Sequence, residues 1–210
     1  RPMTDPAFLT FDELLDRSLD DPNAEAELER RYRQTAAILV VDYTSMVHRT
    51  DHHGIVYALS LARRAERVMH PAVEAHDGEV VKRVADSWFA VFPDPARALG
   101  ALLDGMAALR EFNAPRTGSI DDGSRNEPIY ACAGLAFGAS LVLPGTDLYG
   151  EEVNRAFVLG EDTARASETL VTDAFLGALG PPPQGVGVHR APGDRVAEVG
   201  FPFHIVADYR

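Results

Sequence analysis

Two aspartates stand where predicted strands end. Asp42 closes the apolar run AAILVVDY, residues 36 to 43, and Asp86 lies at the break of a predicted hairpin. In a split β-α-β arrangement these strands are neighbours, so the two carboxylates could converge on one hard cation. Taken singly, either aspartate is equally well explained as a solvated turn residue.

The only lysine of the chain lies close to the second aspartate. Among 20 basic residues, Lys82 alone is not an arginine, and it stands four positions before Asp86. A coding bias toward arginine explains the imbalance. A lysine that persists under such a bias is nevertheless a candidate for a role that needs a compact ammonium group instead of a guanidinium fork.

The elements that must position these residues alternate between strand and helix patterns. Residues 8 to 35 read as two charged amphipathic helical pieces broken near Asp21–Pro22, which we interpret as a lead-in. The following pattern predicts, in order, a buried strand at 36 to 43, a helix at 51 to 75, a hairpin at 78 to 92, a helix from Asp94 to Phe112, a hairpin at 129 to 143 around Gly138 and a helix at 149 to 166.

This order predicts an α+β fold, a ferredoxin-like βαββαβ arrangement with a largely antiparallel sheet and helices on one face. We expect a helical lead-in over residues 1 to 35 and one domain over residues 36 to 210. Residues 113 to 128 have the composition of an exposed loop with no readable function.

Bulk properties exclude several classes of function. The net charge of −12 argues against a general nucleic-acid or anionic-membrane surface. No apolar run is long enough for a membrane span, and the single cysteine, Cys132, fits a reducing compartment. We therefore expect a cytoplasmic protein. His48, His52 and His53 cluster after the first strand; a zinc site there is conceivable, but no cysteine and no HExxH spacing supports it, so we favour surface histidines without a role.

Three segments carry a family resemblance. GEVVKRVAD, IYACAGLAFG and TDLYGEEVN together resemble the catalytic domain of class III adenylate and guanylate cyclases, and the resemblance covers roughly residues 36 to 210. It implies that Asp42 and Asp86, with the carbonyl of Tyr43, hold two divalent cations, Mg²⁺ or Mn²⁺.

The same resemblance implies how a nucleotide is bound. Lys82 and Asp147 fall on the purine-reading positions, where a lysine with an aspartate is similar to the adenine-selective pairing, and Asn154 falls on the residue that orients the ribose. The partner molecule would be ATP. The family also implies a head-to-tail homodimer, in which Lys82, Asp147 and Asn154 of one chain face Asp42 and Asp86 of the other.

The sequence departs from the family at the phosphate. The family usually has a transition-state arginine four residues after the asparagine, and Val158 stands there; Arg155 points about 100° away around a helix, and Arg165 is more distant. Phe203 and His204 stand where many members carry a phosphate-binding lysine.

Three hypotheses follow. The first is an adenylate cyclase that makes cyclic AMP and pyrophosphate, slowed by Val158. The second is an inactive ATP-binding pseudo-cyclase that acts as a nucleotide-sensing or dimerisation module. The third is an interaction domain that completes a heterodimer.

Overall fold

The computed structural model describes residues 9 to 207, except for the side chain of Asp122. The predicted domain limits at residues 1 and 210 therefore lie outside the described part. The helices are α1 (Phe11–Ser18), α2 (Pro22–Tyr32), α3 (Met46–His53), α4 (Ile55–Ala75), α5 (Pro95–Asn113), α6 (Glu151–Phe157), α7 (Asp173–Leu179) and α8 (Gly193–Val199). The strands are β1 (Arg33–Tyr43), β2 (Glu79–Val84), β3 (Ser87–Phe92), β4 (Ala131–Leu143), β5 (Asp147–Tyr149), β6 (Thr169–Thr172), β7 (Gly187–Arg190) and β8 (Phe203–Ala207).

The strands form one sheet in the order β2-β3-β1-β4-β6-β8-β7, with β5 paired to β4. Within the described residues only the β4–β6 pair is parallel, so the predicted α+β fold with a largely antiparallel sheet is confirmed. Among the described residues, no helix is both long and apolar enough to cross a lipid bilayer.

β1 lies inside the sheet and is buried on both faces, as its continuous apolar run predicts. On one face Leu39 joins a core cluster with Met69 of α4 and Leu99 of α5. On the other face Ile38 packs in a second cluster that includes Ala156 of α6. The long helices thus share one face as predicted, while the short helix α6 covers part of the opposite face.

β4 corrects the prediction of a hairpin around Gly138. Residues 131 to 143 form one continuous strand that pairs with β1 along its whole length. The glycine serves a close approach instead of a turn, because a Cβ on Gly138 would lie 2.7 Å from Cγ of Glu152 in α6.

The predicted helix over residues 149 to 166 is also shorter than expected. β5 ends at Tyr149, α6 ends at Phe157, and Val158–Thr163 forms a π-helical segment. Within this segment Gly160 lies so close to β1 that an added Cβ would stand 3.0 Å from the carbonyl oxygen of Val40. The wider turn therefore keeps the chain against the sheet, as π-helical turns often do near functional sites.

The lead-in forms the two predicted helices. Thr10 caps α1 in a capping box with Glu13, and Asp21 caps α2 at Asn23. Their buried side chains, among them Leu14 and Leu28, pack together and against Leu141 of β4. The lead-in is thus joined to the sheet, and β1 already begins at Arg33.

Candidate active site

The β2–β3 turn that carries Asp86 is anchored to α4 by a buried carboxylate. Glu66 of α4 accepts hydrogen bonds from Arg83 in β2, at 2.6 Å, and from Arg63, at 2.8 Å. Burial alone would raise the pKa of Glu66, but the two guanidinium groups lower it below its ordinary value. Arg63 also donates to the carbonyl oxygen of Ala85 at 3.3 Å, which fixes the turn next to Asp86.

Asp42 lies near the end of β1, beside this turn. Its Oδ1 accepts a hydrogen bond from the hydroxyl of Ser87 at 2.9 Å. The pKa of Asp42 is raised to about 6, mainly by burial and also by the negative charges of Asp86 and Glu161, against the hydrogen bonds from Ser87 and the backbone of Tyr43 that lower it. The structure therefore brings the two predicted aspartates into one electrostatic environment.

Glu161 is a third carboxylate at this place, and the sequence analysis missed it. It lies in the π-helical segment, directly after Gly160, which contacts Val40 of β1. Its Oε1 is buried without a hydrogen-bond partner in the described part of the chain. Burial raises the pKa of Glu161, as does the charge of Asp86, while Ser87 opposes the shift. No spacing signal marks this residue, because an uninterrupted α-helix would point it elsewhere.

We name Asp42, Asp86 and Glu161 the carboxylate cluster. Oxygen donors of this kind are the ligands that Mg²⁺ and Mn²⁺ prefer. Burial and the charge of Asp86 raise the pKa values of both Asp42 and Glu161, and Oε1 of Glu161 is buried without a hydrogen-bond partner among the described residues, so this environment fits a hard divalent cation. The side chain of Tyr43 takes no part, because its hydroxyl accepts from Trp88 in the core at 3.1 Å; the predicted role of its carbonyl stays a prediction.

Lys82 and Asp147 form an ion pair, with Nζ and Oδ1 2.6 Å apart. A bulge between Val80 and Lys82 shifts the strand phase and places the ammonium over the ring of Phe89, 4.8 Å from its centroid. Phe89 belongs to the cluster on the α6 face of the sheet. Burial alone would raise the pKa of Asp147, but the hydrogen bond and charge of Lys82, together with the hydrogen bonds from the backbone of Leu148 and from Tyr149, lower that pKa below its ordinary value.

The ion pair is connected to the lead-in. The hydroxyl of Tyr149 donates to Oδ2 of Asp147 at 3.1 Å. The ring of Phe11 in α1 stacks on Tyr149, with centroids 5.7 Å apart and planes 7° from parallel. A contact chain thus runs from the first helix of the lead-in to the predicted purine-reading pair, which sequence patterns gave no reason to expect.

Asn154 is exposed on α6, the helix that packs on the same sheet face as Phe89. Val158 begins the π-helical segment and is half-buried. Arg155 forms ion pairs with Glu151 and with Glu152, the latter at 2.7 Å, so its guanidinium group is engaged within α6.

The remaining candidates for phosphate contact are also engaged or distant. Arg165 is exposed beyond the π-helical segment. In β8, Phe203 is buried and Nδ1 of His204 lies 3.2 Å from Asp173. The absence of a transition-state cation beside Asn154 stays a prediction.

Comparison with solved structures gives one consistent group. The catalytic core of a rhodopsin-guanylyl cyclase with converted specificity, in complex with ATPαS, superposes with a TM-score of 0.67 at 16% identity, over 85% of this chain and 97% of the other. An adenylate/guanylate cyclase/hydrolase from Silicibacter pomeroyi gives 0.62 at 22% identity, over 83% and 95% of the two chains. The adenylyl cyclase CyaB from P. aeruginosa gives 0.61 at 15% identity, over 85% and 96%.

Sequence comparisons alone give no such group, since no protein-family profile and no curated protein sequence matches the chain. The solved structures include domains described as guanylyl and as adenylyl cyclases. The resemblance predicted from three short segments is therefore confirmed at the level of the fold: this chain has the fold of a class III nucleotide cyclase homology domain.

Proposed function

We propose that this chain is an adenylate cyclase that converts ATP to cyclic AMP and pyrophosphate with two divalent cations at a homodimer interface. The Lys82–Asp147 pair is the observation that carries the proposal, because its atoms already stand 2.6 Å apart on the face of the sheet that α6 packs against. An ammonium donor beside a carboxylate acceptor matches the edge of adenine, which offers a ring nitrogen and an exocyclic amine.

Base selection follows from these two groups. Lys82 donates to the ring nitrogen and Asp147 accepts from the amine, so the direct ion pair must open when the base enters. Guanine presents a carbonyl oxygen at the position of the amine, and this oxygen would face the Asp147 carboxylate. Lys82 and Asp147 are half-buried in the single chain, and a bound base that covers them while leaving such groups unpaired is discriminated against.

The reaction forms one bond and breaks another. The 3′-hydroxyl of the ribose gives up its proton to solvent water, its oxygen bonds to the α-phosphorus, and the bond between the α-phosphorus and the oxygen that bridges to the β-phosphate breaks as pyrophosphate leaves with the electron pair. Divalent cations held by Asp42 and Asp86 would supply activation of the hydroxyl and neutralisation of the triphosphate. Asn154 orients the ribose from α6.

A homodimer would bring the two halves of the site together. A cavity of about 390 Å³ adjoins Asp86 between α3 and α4. Its rim carries apolar side chains that are largely exposed in the single chain, Val47 at 78% and Ile55 at 61%. Exposed apolar groups of this size beside the carboxylate cluster support a second copy as their cover.

The test is mass-spectrometric detection of cyclic nucleotide from purified protein given ATP or GTP with Mg²⁺ or Mn²⁺. We expect cyclic AMP from ATP, and no product from the Asp42→Ala, Asp86→Ala variant. The proposal predicts a dimer in sedimentation with nucleotide and metal. A chain that makes only cyclic GMP, or that stays monomeric while active, contradicts it.

A nucleotide-sensing pseudo-cyclase is the second candidate, and one contact favours it. Phe11 stacks on Tyr149, and Tyr149 donates a hydrogen bond to Asp147. Binding of a base at Asp147 can therefore change the position of α1 through these two contacts. Val158→Arg separates the candidates in the same assay. An otherwise complete enzyme should gain up to about 10²–10³-fold in rate; no product with metal-dependent ATP binding retained favours the sensor.

A further inference from the structure

α3 carries two histidines one helical turn apart, outside the site described above. His48 and His52 project from the same side of the helix, with ring centroids 4.2 Å apart. Asp121 arrives from the loop between α5 and β4, with Oδ1 2.9 Å from Nε2 of His48. One ligand atom from each of the three side chains lies within 4.8 Å of the others.

The orientation of His52 leaves a nitrogen ready to bind. Its Nδ1 lies 3.0 Å from the carbonyl oxygen of His48. Because a carbonyl oxygen only accepts, Nδ1 carries the proton and Nε2 holds a free lone pair. Histidines that bind metals commonly use a backbone carbonyl in this way to fix the tautomer and the ring.

We propose that His48, His52 and Asp121 form a zinc site, with water as the fourth ligand. Two imidazoles and one carboxylate are a typical ligand set for Zn²⁺ at about 2.0–2.2 Å. Such bond lengths separate neighbouring tetrahedral ligands by about 3.3 Å, close to the 2.9 Å between His48 and Asp121. The carboxylate cluster offers oxygen alone, so the two sites suit different classes of cation.

The surroundings hold α3 in place for this role. Arg49, which follows His48, is buried and donates to the carbonyl oxygens of Thr44 and Pro128, both at 2.6 Å. These contacts tie α3 to the end of β1 on one side and to the end of the 113–128 loop on the other. Bound zinc would add a third connection, between α3 and Asp121 of the same loop.

The proposal gives the 113–128 loop a function and links it to the carboxylate cluster. α3 begins at Met46, four residues after Asp42. A metal that fixes the loop on α3 therefore acts on the helix that directly follows the strand end carrying Asp42. An ordinary histidine–aspartate ion pair explains the His48–Asp121 contact, but it does not need His52, and this difference makes the proposal testable.

The experiment is equilibrium dialysis of Zn²⁺ against the Asp42→Ala, Asp86→Ala chain, in which two carboxylates of the cluster are gone and no nucleotide is present. We expect one zinc per chain. His52→Ala should weaken binding by more than about 100-fold, because even the partners of metal ligands are worth about 10–100-fold. His189→Ala, which removes an exposed histidine of β7, is the matched control and should leave the affinity unchanged.

X-ray absorption of the zinc-loaded chain provides the second readout and should show two imidazole ligands. Circular dichroism checks that the variants are folded. Stoichiometric binding that survives His52→Ala, or the absence of stoichiometric binding to the folded chain, overturns the proposal. Because no turnover is measured, either result leaves the proposed cyclase activity to its own test.

Discussion

The carboxylate cluster and the Lys82–Asp147 pair both belong to the nucleotide site proposed above, but they differ in charge balance. In the pair, a cation and an anion neutralise each other at 2.6 Å. In the cluster, the carboxylates of Asp42 and Glu161 are buried near the charge of Asp86, and the pKa values of both are raised. The first region is complete without a ligand, whereas the second is stabilised when a cation arrives. A base can therefore bind only when the Lys82–Asp147 ion pair breaks, whereas the carboxylate cluster gains stability when a cation binds.

Exchange of the balanced pair should have the largest effect. We expect Lys82→Glu combined with Asp147→Cys, the residues typical of guanine-selective members, to shift the ratio of ATP to GTP affinity by at least about 100-fold toward GTP, because polar groups that a bound base covers and leaves mispaired are costly. Calorimetric titration with each nucleotide measures the ratio whether or not turnover occurs. Arg67→Glu, an exposed charge reversal on α4, should leave it unchanged. An unaltered ratio in the double variant would remove Lys82 and Asp147 from base selection.

The carboxylate cluster should make the free energy of unfolding of the metal-free chain depend on pH. The pKa of Asp42 is about 6 in the fold against 3.8 ordinarily, so the folded chain binds a proton that the unfolded chain releases. The contribution to stability is present below about pH 4 and is lost as the pH rises through about 6. The loss in the free energy of unfolding is at most about 3 kcal/mol, since one pKa unit corresponds to about 1.36 kcal/mol and solvent screening of this partly exposed carboxylate reduces the effect.

Urea denaturation in EDTA at pH 4 to 8 measures this loss. Asp42→Asn should flatten the profile, Mg²⁺ or Mn²⁺ should restore stability near pH 7, and Asp51→Asn, an exposed change on α3, serves as control. A profile that Asp42→Asn leaves as steep as before would refute the assignment of the proton.

The lead-in contact should give the smallest effect. Without Phe11, Tyr149 is less firmly held on Asp147, and the carboxylate is freer to meet the base. We expect Phe11→Ala to tighten ATP binding about 2- to 5-fold, since an aromatic pair contributes about 0.5–1.5 kcal/mol and this one is partly exposed. Leu19→Ala, at a side chain 87% exposed, is the control. Weaker ATP binding in Phe11→Ala would show that the stack supports the site instead of restraining it.

The sequence predicted the parts of this arrangement that depend on local pattern. The apolar run before Asp42 and the break at Asp86 identified two strand ends correctly; the pairing of Lys82 with Asp147 came from the family resemblance, and the structure shows the ion pair while the purine-reading role stays a prediction. These predictions succeeded because burial and turn chemistry act over a few residues.

The parts that failed depend on contacts between distant segments. Gly138 looked like a turn residue, yet its role is to let α6 approach β4. Glu161 was missed because the π-helical segment changes the helical phase after Phe157. Sequence spacing also did not predict that Lys82 lies over the ring of Phe89. The bulge that places Lys82 there depends on how β2 pairs with β3.

The junction between the lead-in and the sheet matters for anyone who wishes to shorten this chain for crystallisation. β1 pairs with β4 from Arg33 onward, and Leu141 is covered by the two lead-in helices. A fragment that begins at residue 36 would lose the first residue pairs between β1 and β4 and would expose the apolar surface around Leu141, which favours aggregation. Fragments that retain α1 and α2 should therefore be the soluble ones, and they also retain the aromatic partner of Tyr149.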